Sequence, residues 1–358
     1  MTAGQPKSST TVIILAAGRG TRMRSVLPKV LHRTGGRTVI DHVLRLAASM
    51  TSYANMVVVL GHQAESVRVA LAGHPEVKVA IQDGALGTGH AVCAARTIAP
   101  LNALCLVLYG DSPLLRPATL DALLAHQTAS GAAATLITAM LDYPGSYGRI
   151  ATDSAGDVAA IIEPNMATPA ELGIKEINSG VYCFRSDLLW RYIERIRPDN
   201  PLGEYYLTDI VSVLRADGFK VAKMQVSDPD EILGVNTQQD LATVDGIFRR
   251  RIINHLHASG VTILQPHTVL VDPDVTVGAG TSIGPFSQLL GASIVGRGCV
   301  LDGNCVIVDS RLGDDVRLGA FSVIRSAVLT NGAVVPPFSL VGIGSSGDIR
   351  MDNSRTID

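Results

Sequence analysis

The sequence predicts an α/β chain in two parts: a Rossmann-like, mostly parallel sheet covered by helices, then a short left-handed parallel β-helix. Three observations lead there. Short apolar runs alternate with helix-like stretches through the first two thirds, an apolar residue recurs every six positions after Val261, and hydrophobic residues make up 47% of the chain against 17% charged. Wholly apolar strands alternating with helices require a sheet buried on both faces. A β-sandwich has no reason to keep a period of six, whereas a hexapeptide β-helix needs one inward residue per flat face.

The apolar runs are Val12–Leu15, Met56–Leu60, Val77–Ile81, Leu104–Leu108 and Ala134–Ala139. Helical patterns lie between them at Val39–Ala48, Glu65–Ala72, His90–Thr97 and Pro117–His126. Later strands at Gly148–Ala151, Gly180–Phe184 and Val221–Val226 are expected to extend the sheet. Residues 1–236 therefore form the first domain, and 237–260 a connecting helix. In 261–345 the inward positions are Val271, Val277, Ile283, Leu289, Val295, Leu301 and Ile307. The period then slips by one to Leu312, Leu318 and Ile324, and again to Leu329, Val335 and Val341. At roughly three faces per turn this gives about four coils. Residues 346–358 read as a polar tail.

The 358 residues carry 30 Lys and Arg against 32 Asp and Glu, a net charge of −2, which offers no broad footprint for nucleic acid. Cys93, Cys105, Cys183, Cys299 and Cys305 never fall in C-x-x-C spacing, so neither a zinc site nor a disulfide framework is expected. The polar opening residues and the short run Val12 to Ala17 match neither a signal peptide nor a membrane span. A cytoplasmic, non-membrane protein is expected.

The segment VIILAAGRGTRMRSVLPKVL carries the most chemistry. A strand ending at Leu15 runs into Ala16-Ala17-Gly18-Arg19-Gly20-Thr21, a turn without bulk where backbone N–H groups can approach phosphate oxygens. Arg22 and Lys29 add positive charge at the same end, as transfer of a nucleotidyl group requires. Met23 stands where a dinucleotide fingerprint wants Gly or Ala, and no G-x-x-x-x-G-K-[ST] loop is present. Asp111 follows the strand Leu104–Leu108, at the carboxyl edge where open α/β sheets bind ligands.

L-A-A-G-x-G-T-R-M followed by L-P-K resembles the sugar-phosphate nucleotidylyltransferases. Further segments narrow the likeness: Leu86-Gly87-Thr88-Gly89-His90-Ala91, Tyr109-Gly110-Asp111, Tyr147-Gly148-Arg149-Ile150, Ile162-Glu163, Glu176-Ile177-Asn178-Ser179-Gly180, Gly203 to Asp209 and Gly234-Val235-Asn236. In that order, leading into hexapeptide repeats, they resemble the uridylyltransferase half of the bifunctional N-acetylglucosamine-1-phosphate uridylyltransferase/glucosamine-1-phosphate acetyltransferase family.

The resemblance implies a nucleotidyltransferase domain that joins UTP to N-acetylglucosamine 1-phosphate with Mg²⁺ and releases pyrophosphate. It implies Arg22, Lys29 and Asp111 as catalytic residues, and Asp111 with Asn236 as metal ligands. The nucleotide falls to Leu15, Ala16, Ala17, Gly18, Gly20, Gln82, Gly87 and Thr88. The sugar falls to Tyr109, Gly110, Gly148, Glu163 and Asn178. A homotrimer assembled through the β-helix is expected by analogy of fold. Three departures stand out: Ala85 where the family often has Gln or Glu, Ser179 where Thr is usual, and Asn165-Met166 in place of a more charged stretch. The His-Leu-Thr-Tyr-x-Gly-Asp type stretch of the acetyltransferase half does not occur, and His267 sits in the first coil. Acetyl transfer is therefore not expected.

Overall fold

A computed structural model describes residues 10–342. The expected end of the β-helix at 345 and the polar tail 346–358 lie outside the described residues. The chain divides into two units: residues 1–33 with 37–244, and residues 34–36 with 245–358. The division falls inside the helix Gln238–Ala258 rather than before it, so the connector belongs to neither side alone. Thr34–Gly36 also leaves the expected first domain of 1–236.

The first unit is built on a sheet in the order Val221–Gln225, Ala134–Met140, Glu176–Arg185, Leu104–Tyr109, Thr10–Ala16, Met56–Leu60, Lys78–Ile81. Thr10–Ala16 pairs in parallel with Met56–Leu60 on one side and Leu104–Tyr109 on the other. The chain thus winds outward in one direction and returns to wind in the other, leaving a switch point between these two strands where a crevice opens. Every residue of Thr10–Ala16 is buried. Ile13 and Leu15 face one apolar core, while Val12, Ile14 and Ala16 face a second across the sheet. Burial on both faces explains why such strands read as continuous apolar runs rather than alternating ones.

All three later strands join the sheet as expected, and one of them lies inside it. Glu176–Arg185 lies in the interior, antiparallel to both Leu104–Tyr109 and Ala134–Met140. A return strand placed between parallel neighbours needs no edge, and Tyr182, Cys183 and Phe184 are fully buried there. Arg149–Thr152 pairs with Val158–Ile162 as a hairpin and joins the main sheet where Ile177 lies opposite Arg149. Because Glu176–Arg185 runs backwards, its early residues Asn178–Gly180 arrive at the carboxyl edge of the parallel strands.

The helices follow local signals. Val39–Met50 starts at Thr38, whose hydroxyl accepts from Asp41 N–H at 3.3 Å. Pro117–Ser130 opens with proline in its first turn and stops at Gly131 in the left-handed conformation. Gln238–Ala258 begins with Thr237 and Asp240 in reciprocal contact: Asp240 N–H donates to Thr237 Oγ1 at 3.1 Å and Thr237 N–H to Asp240 Oδ2 at 2.8 Å.

The second unit is a three-faced parallel β-helix, with stacked sheets of five, five and four short strands. Ile283, Leu289, Leu301, Ile307, Leu312, Leu318 and Ile324 are buried in the prism. The register shows why the sequence period slips. Leu289 pairs with Ile307 and Val295 with Leu312, so coils of 18 residues give way to coils of 17. Asp309 and Ser326 take positive φ at the shortened corners. Ile263 was missed as an inward position: paired with Ile283, it precedes a longer first coil that holds a 3-10 turn at Pro266–Thr268 and so breaks the period. All five cysteines are free.

Candidate active site

A cleft of about 650 Å³ opens along the carboxyl edge of the parallel strands in the first unit. Its floor comes from Leu15, Ala16, Ala17 and Gly18, which leave the first strand as a turn of small residues. Gly20 does not line the cleft but shapes it. Its φ of 60° is left-handed, and a Cβ there would stand 3.0 Å from Lys29 Cβ, so the turn folds against Lys29 only with glycine. Met23, 1% exposed, pins the 3-10 turn that presents Arg22.

Four residues drawn from three distant stretches meet in this cleft. Lys29 Nζ is ion-paired with Asp111 Oδ2 and donates to Asn236 Oδ1 at 3.0 Å. Arg22 donates to the same Asn236 oxygen at 3.0 Å. Ser112 Oγ touches Asp111 Oδ1 at 3.3 Å, and Val235 N–H donates to the Asp111 carbonyl at 2.8 Å, tying the two oxygen-bearing segments together. Among the described residues no group of three or more His, Cys, Asp or Glu forms a metal cage. One carboxylate and one amide oxygen nonetheless converge on a single cationic centre, the Lys29 ammonium. That is the hard-oxygen pair a Mg²⁺ ion uses when substrate phosphates and water complete its shell.

One end of the cleft is lined by Gln82, Ala85, Gly87 and Thr88. Gln82 ends up here because its N–H continues the sheet ladder to the Leu60 carbonyl at 2.8 Å. Gly87 has φ 102°, and a Cβ would lie 2.5 Å from the Tyr205 carbonyl, so the backbone of 203–207 closes on it. Leu207 N–H donates to Thr88 Oγ1 at 3.0 Å.

The other end is lined by Tyr109, Tyr147, Gly148, Glu163, Asn178, Ser179 and Thr208. Asn178 is buried, its Nδ2 donating to Tyr182 Oη at 2.7 Å and its Oδ1 accepting from Gly180 N–H at 3.1 Å. Burial raises the Glu163 carboxyl above its ordinary range; the Thr208 hydroxyl, donating at 3.0 Å, pulls it back, and Asp209 adds to the rise. Burial likewise pushes up the Tyr109 phenol. Gly110 is the sugar-side residue that the structure moves elsewhere. Its N–H donates to the Leu15 carbonyl at 2.9 Å, and a Cβ there would stand 3.1 Å from Ala16 Cβ and 3.2 Å from Ile40 Cδ1, so it backs onto the sheet.

Sequence reasoning missed Thr208, whose partner Glu163 is 45 residues away. Glu204 and Tyr206 line the cleft as well. Ser179 acts in the backbone: its hydroxyl donates to the Ile137 carbonyl at 2.7 Å and accepts from Val181 N–H at 3.1 Å, spanning the register shift between Asn178 and Tyr182. His267 is exposed.

Residues 12–162 match the MobA-like NTP transferase domain. The bifunctional protein GlmU of Pelobacter propionicus is 42% identical over 328 residues, covering 91% of this chain and 71% of that protein. The same protein from Kineococcus radiotolerans is 43% identical over 349 residues, 95% and 70% of the two chains. The chain belongs to the GlmU family. GlmU of Solibacter usitatus is 44% identical over 305 residues, and the chain spans only 65% of its length. The matched NTP transferase domain holds Arg22, Lys29, Gln82, Asp111 and Gly148, while Glu163, Asn178 and Asn236 of this GlmU-family cleft lie beyond it. Among the described residues no helix is long and apolar enough to cross a membrane.

Proposed function

We propose that this chain transfers the uridylyl group of UTP to N-acetylglucosamine 1-phosphate, giving UDP-N-acetylglucosamine and pyrophosphate. The observation that carries the reading is the meeting of Arg22, Lys29, Asp111 and Asn236 beside a turn of small residues in one cleft.

The chemistry follows from that arrangement. A phosphate oxygen of the sugar phosphate, already anionic at neutral pH, forms a bond to the α-phosphorus as the bond to the bridging α–β oxygen breaks and pyrophosphate leaves. No proton must move, so positioning and charge neutralisation can supply the catalysis. Arg22 and Lys29 offset charge on the α-phosphate and the leaving group. Asp111 and Asn236 would hold Mg²⁺, which would supply Lewis-acid charge neutralisation when bound. Gln82, Gly87 and Thr88 take the base; Gly148, Glu163, Asn178 and Tyr109 take the sugar. A single in-line displacement inverts configuration at the α-phosphorus, with no covalent enzyme intermediate.

In the proposal the protein is cytoplasmic and assembles as a homotrimer through its β-helix. Ala85, a methyl group in the cleft wall, favours one second reading: a relative that takes dTTP or another hexose 1-phosphate. The test is pyrophosphate release by purified protein with Mg²⁺, each nucleoside triphosphate and a panel of sugar 1-phosphates. Preference for UTP and N-acetylglucosamine 1-phosphate is expected. A dTTP or glucose preference selects the second reading, and silence across the panel refutes both.

A further inference from the structure

Gln82 is 7% exposed and lines the cleft, and both hydrogens of its amide are committed. Its Nε2 donates to the Gly87 carbonyl at 2.9 Å and lies 3.2 Å from His90 Nδ1. A carbonyl can only accept, so the nitrogen end of the amide must face Gly87; His90 Nδ1 must then present its lone pair, with the ring proton on Nε2. Oε1 is the one polar atom of Gln82 left for a ligand. Ala85 brings no polar side-chain atom to the same wall, and Thr88 Oγ1 already accepts from Leu207 N–H, so Gln82 Oε1 is the free side-chain acceptor there.

We propose that His90 is a positioning residue that locks the Gln82 amide with Oε1 as the reading atom, and thereby selects nucleotides whose base carries an imide N–H. The inference rests on the assignment of Gln82 to the base and deepens it. An acceptor oxygen complements the N3–H of uracil or thymine and opposes the N3 lone pair of cytosine, whose recognition needs the amide turned over. His90 does this without lining the cleft. It sits at the third residue of the helix Thr88–Ala95, near Tyr205, with ring centroids 6.2 Å apart. The surrounding backbone is tied down: Gly89 N–H donates to the Tyr205 carbonyl at 2.7 Å and Tyr205 N–H to the Leu86 carbonyl at 2.8 Å. The imidazole is therefore held where it can act as a fixed acceptor.

The experiment compares UTP with CTP on the full chain, by turnover and by calorimetric binding of each nucleotide with Mg²⁺. His90→Leu removes the acceptor and is expected to lower the UTP-over-CTP preference about tenfold, through KM and Kd rather than kcat. His90→Asn, which keeps an acceptor oxygen, is expected to restore most of it. An unchanged preference in a folded His90→Leu protein overturns the proposal; if that variant does not fold, an unchanged preference in His90→Lys, which faces Nε2 with a donor, does so. Gln82→Met separates the two levels. If it abolishes the preference while His90→Leu does not, only the lock is wrong; if it too leaves the preference intact, the base assignment and the lock fall together. The binding arm still reads the lock should the sugar phosphates tested give no turnover.

Discussion

Lys29 faces a carboxylate and an amide oxygen at once, and Arg22 shares the second of them. Removing one cation from such a cluster should cost far more than a surface ion pair, because in the proposed reaction it faces charge that develops on the phosphates. Lys29→Met keeps the stem and drops the charge. Turnover is expected to fall by roughly 10²–10³, as it is for Asp111→Asn; steady-state pyrophosphate release measures both, and a rate within threefold of the parent would refute the role. Chelation of Mg²⁺ should abolish turnover and its return restore it. Glu163 offers a test by pH. Burial raises its folded-state pKa, so the folded protein holds this proton more tightly than the unfolded chain. Its stabilising contribution is therefore complete below the ordinary glutamate value of about 4.3 and is lost as pH rises through the folded value. Glu163→Gln removes that loss, so its melting temperature relative to the parent should climb across the window; a difference flat with pH would contradict this. The deprotonated parent is the better acceptor for sugar hydroxyls, so its KM for the sugar phosphate should fall over the same range. Arg22, Lys29, Asp111 and Asn236 were legible because each sits in a short local motif. Thr208 also lies in a quoted segment, but its role was not legible, since it comes from a hydroxyl delivered to Glu163 by chain folding.

Secondary elements show the same contrast between local and long-range information. The strand Thr10–Ala16 could be read from its run of apolar residues, and the helix at Pro117 from its proline. The interior position of Glu176–Arg185 could not, because an apolar run looks the same whether its neighbours are parallel or antiparallel. The register shift between Asn178 and Tyr182 is equally silent in sequence, although Ser179 stabilises it and Asn178 reaches the cleft beside it. In the β-helix the period was legible because each coil repeats the same packing problem. The stacking is close: a Cβ on Gly296 would stand 2.4 Å from the Gly313 carbonyl of the next coil. Gly296→Ala must push two hydrogen-bonded coils apart and is expected to cost roughly 1–3 kcal/mol. Gly73→Ala, where a Cβ meets nothing within 4 Å, is the matched control. Thermal or denaturant melts of the two variants decide the matter, and equal midpoints would show that the coils can give way.

At the scale of the whole molecule, the division of labour was visible in sequence texture alone, but association depends on which face of the prism is least able to remain in water. Strand alternation separates inward from outward residues, and the three outward columns differ. One carries Thr262, Ser282, Val300, Arg317 and Val334; another carries Thr276, Ile294, Arg311 and Val328. Each has an arginine among its outward residues, whose desolvation would oppose a close interface. The third carries Leu270, Gln288, Val306, Val323 and Leu340 in one column, with Leu290, Val308 and Arg325 in a second beside it. Its bordering corner holds Phe286, Phe321 and Phe338, all exposed, the last two stacked with centroids 5.1 Å apart. Exposed aromatic side chains beside an apolar column mark an interaction face, so the proposed homotrimer should use this column. Val323→Asp places a charge at its centre without touching the prism interior, where the adjacent Ile324 is buried. Sedimentation equilibrium is expected to show a trimer for the parent chain and a monomer for Val323→Asp. All residues assigned to the reaction lie within residues 15–236, so the monomeric variant is expected to keep uridylyl transfer within about threefold, the size of a surface substitution's effect. Trimers that persist in Val323→Asp would move the interface to another face, and a parent chain that sediments as a monomer would remove it from the proposal altogether.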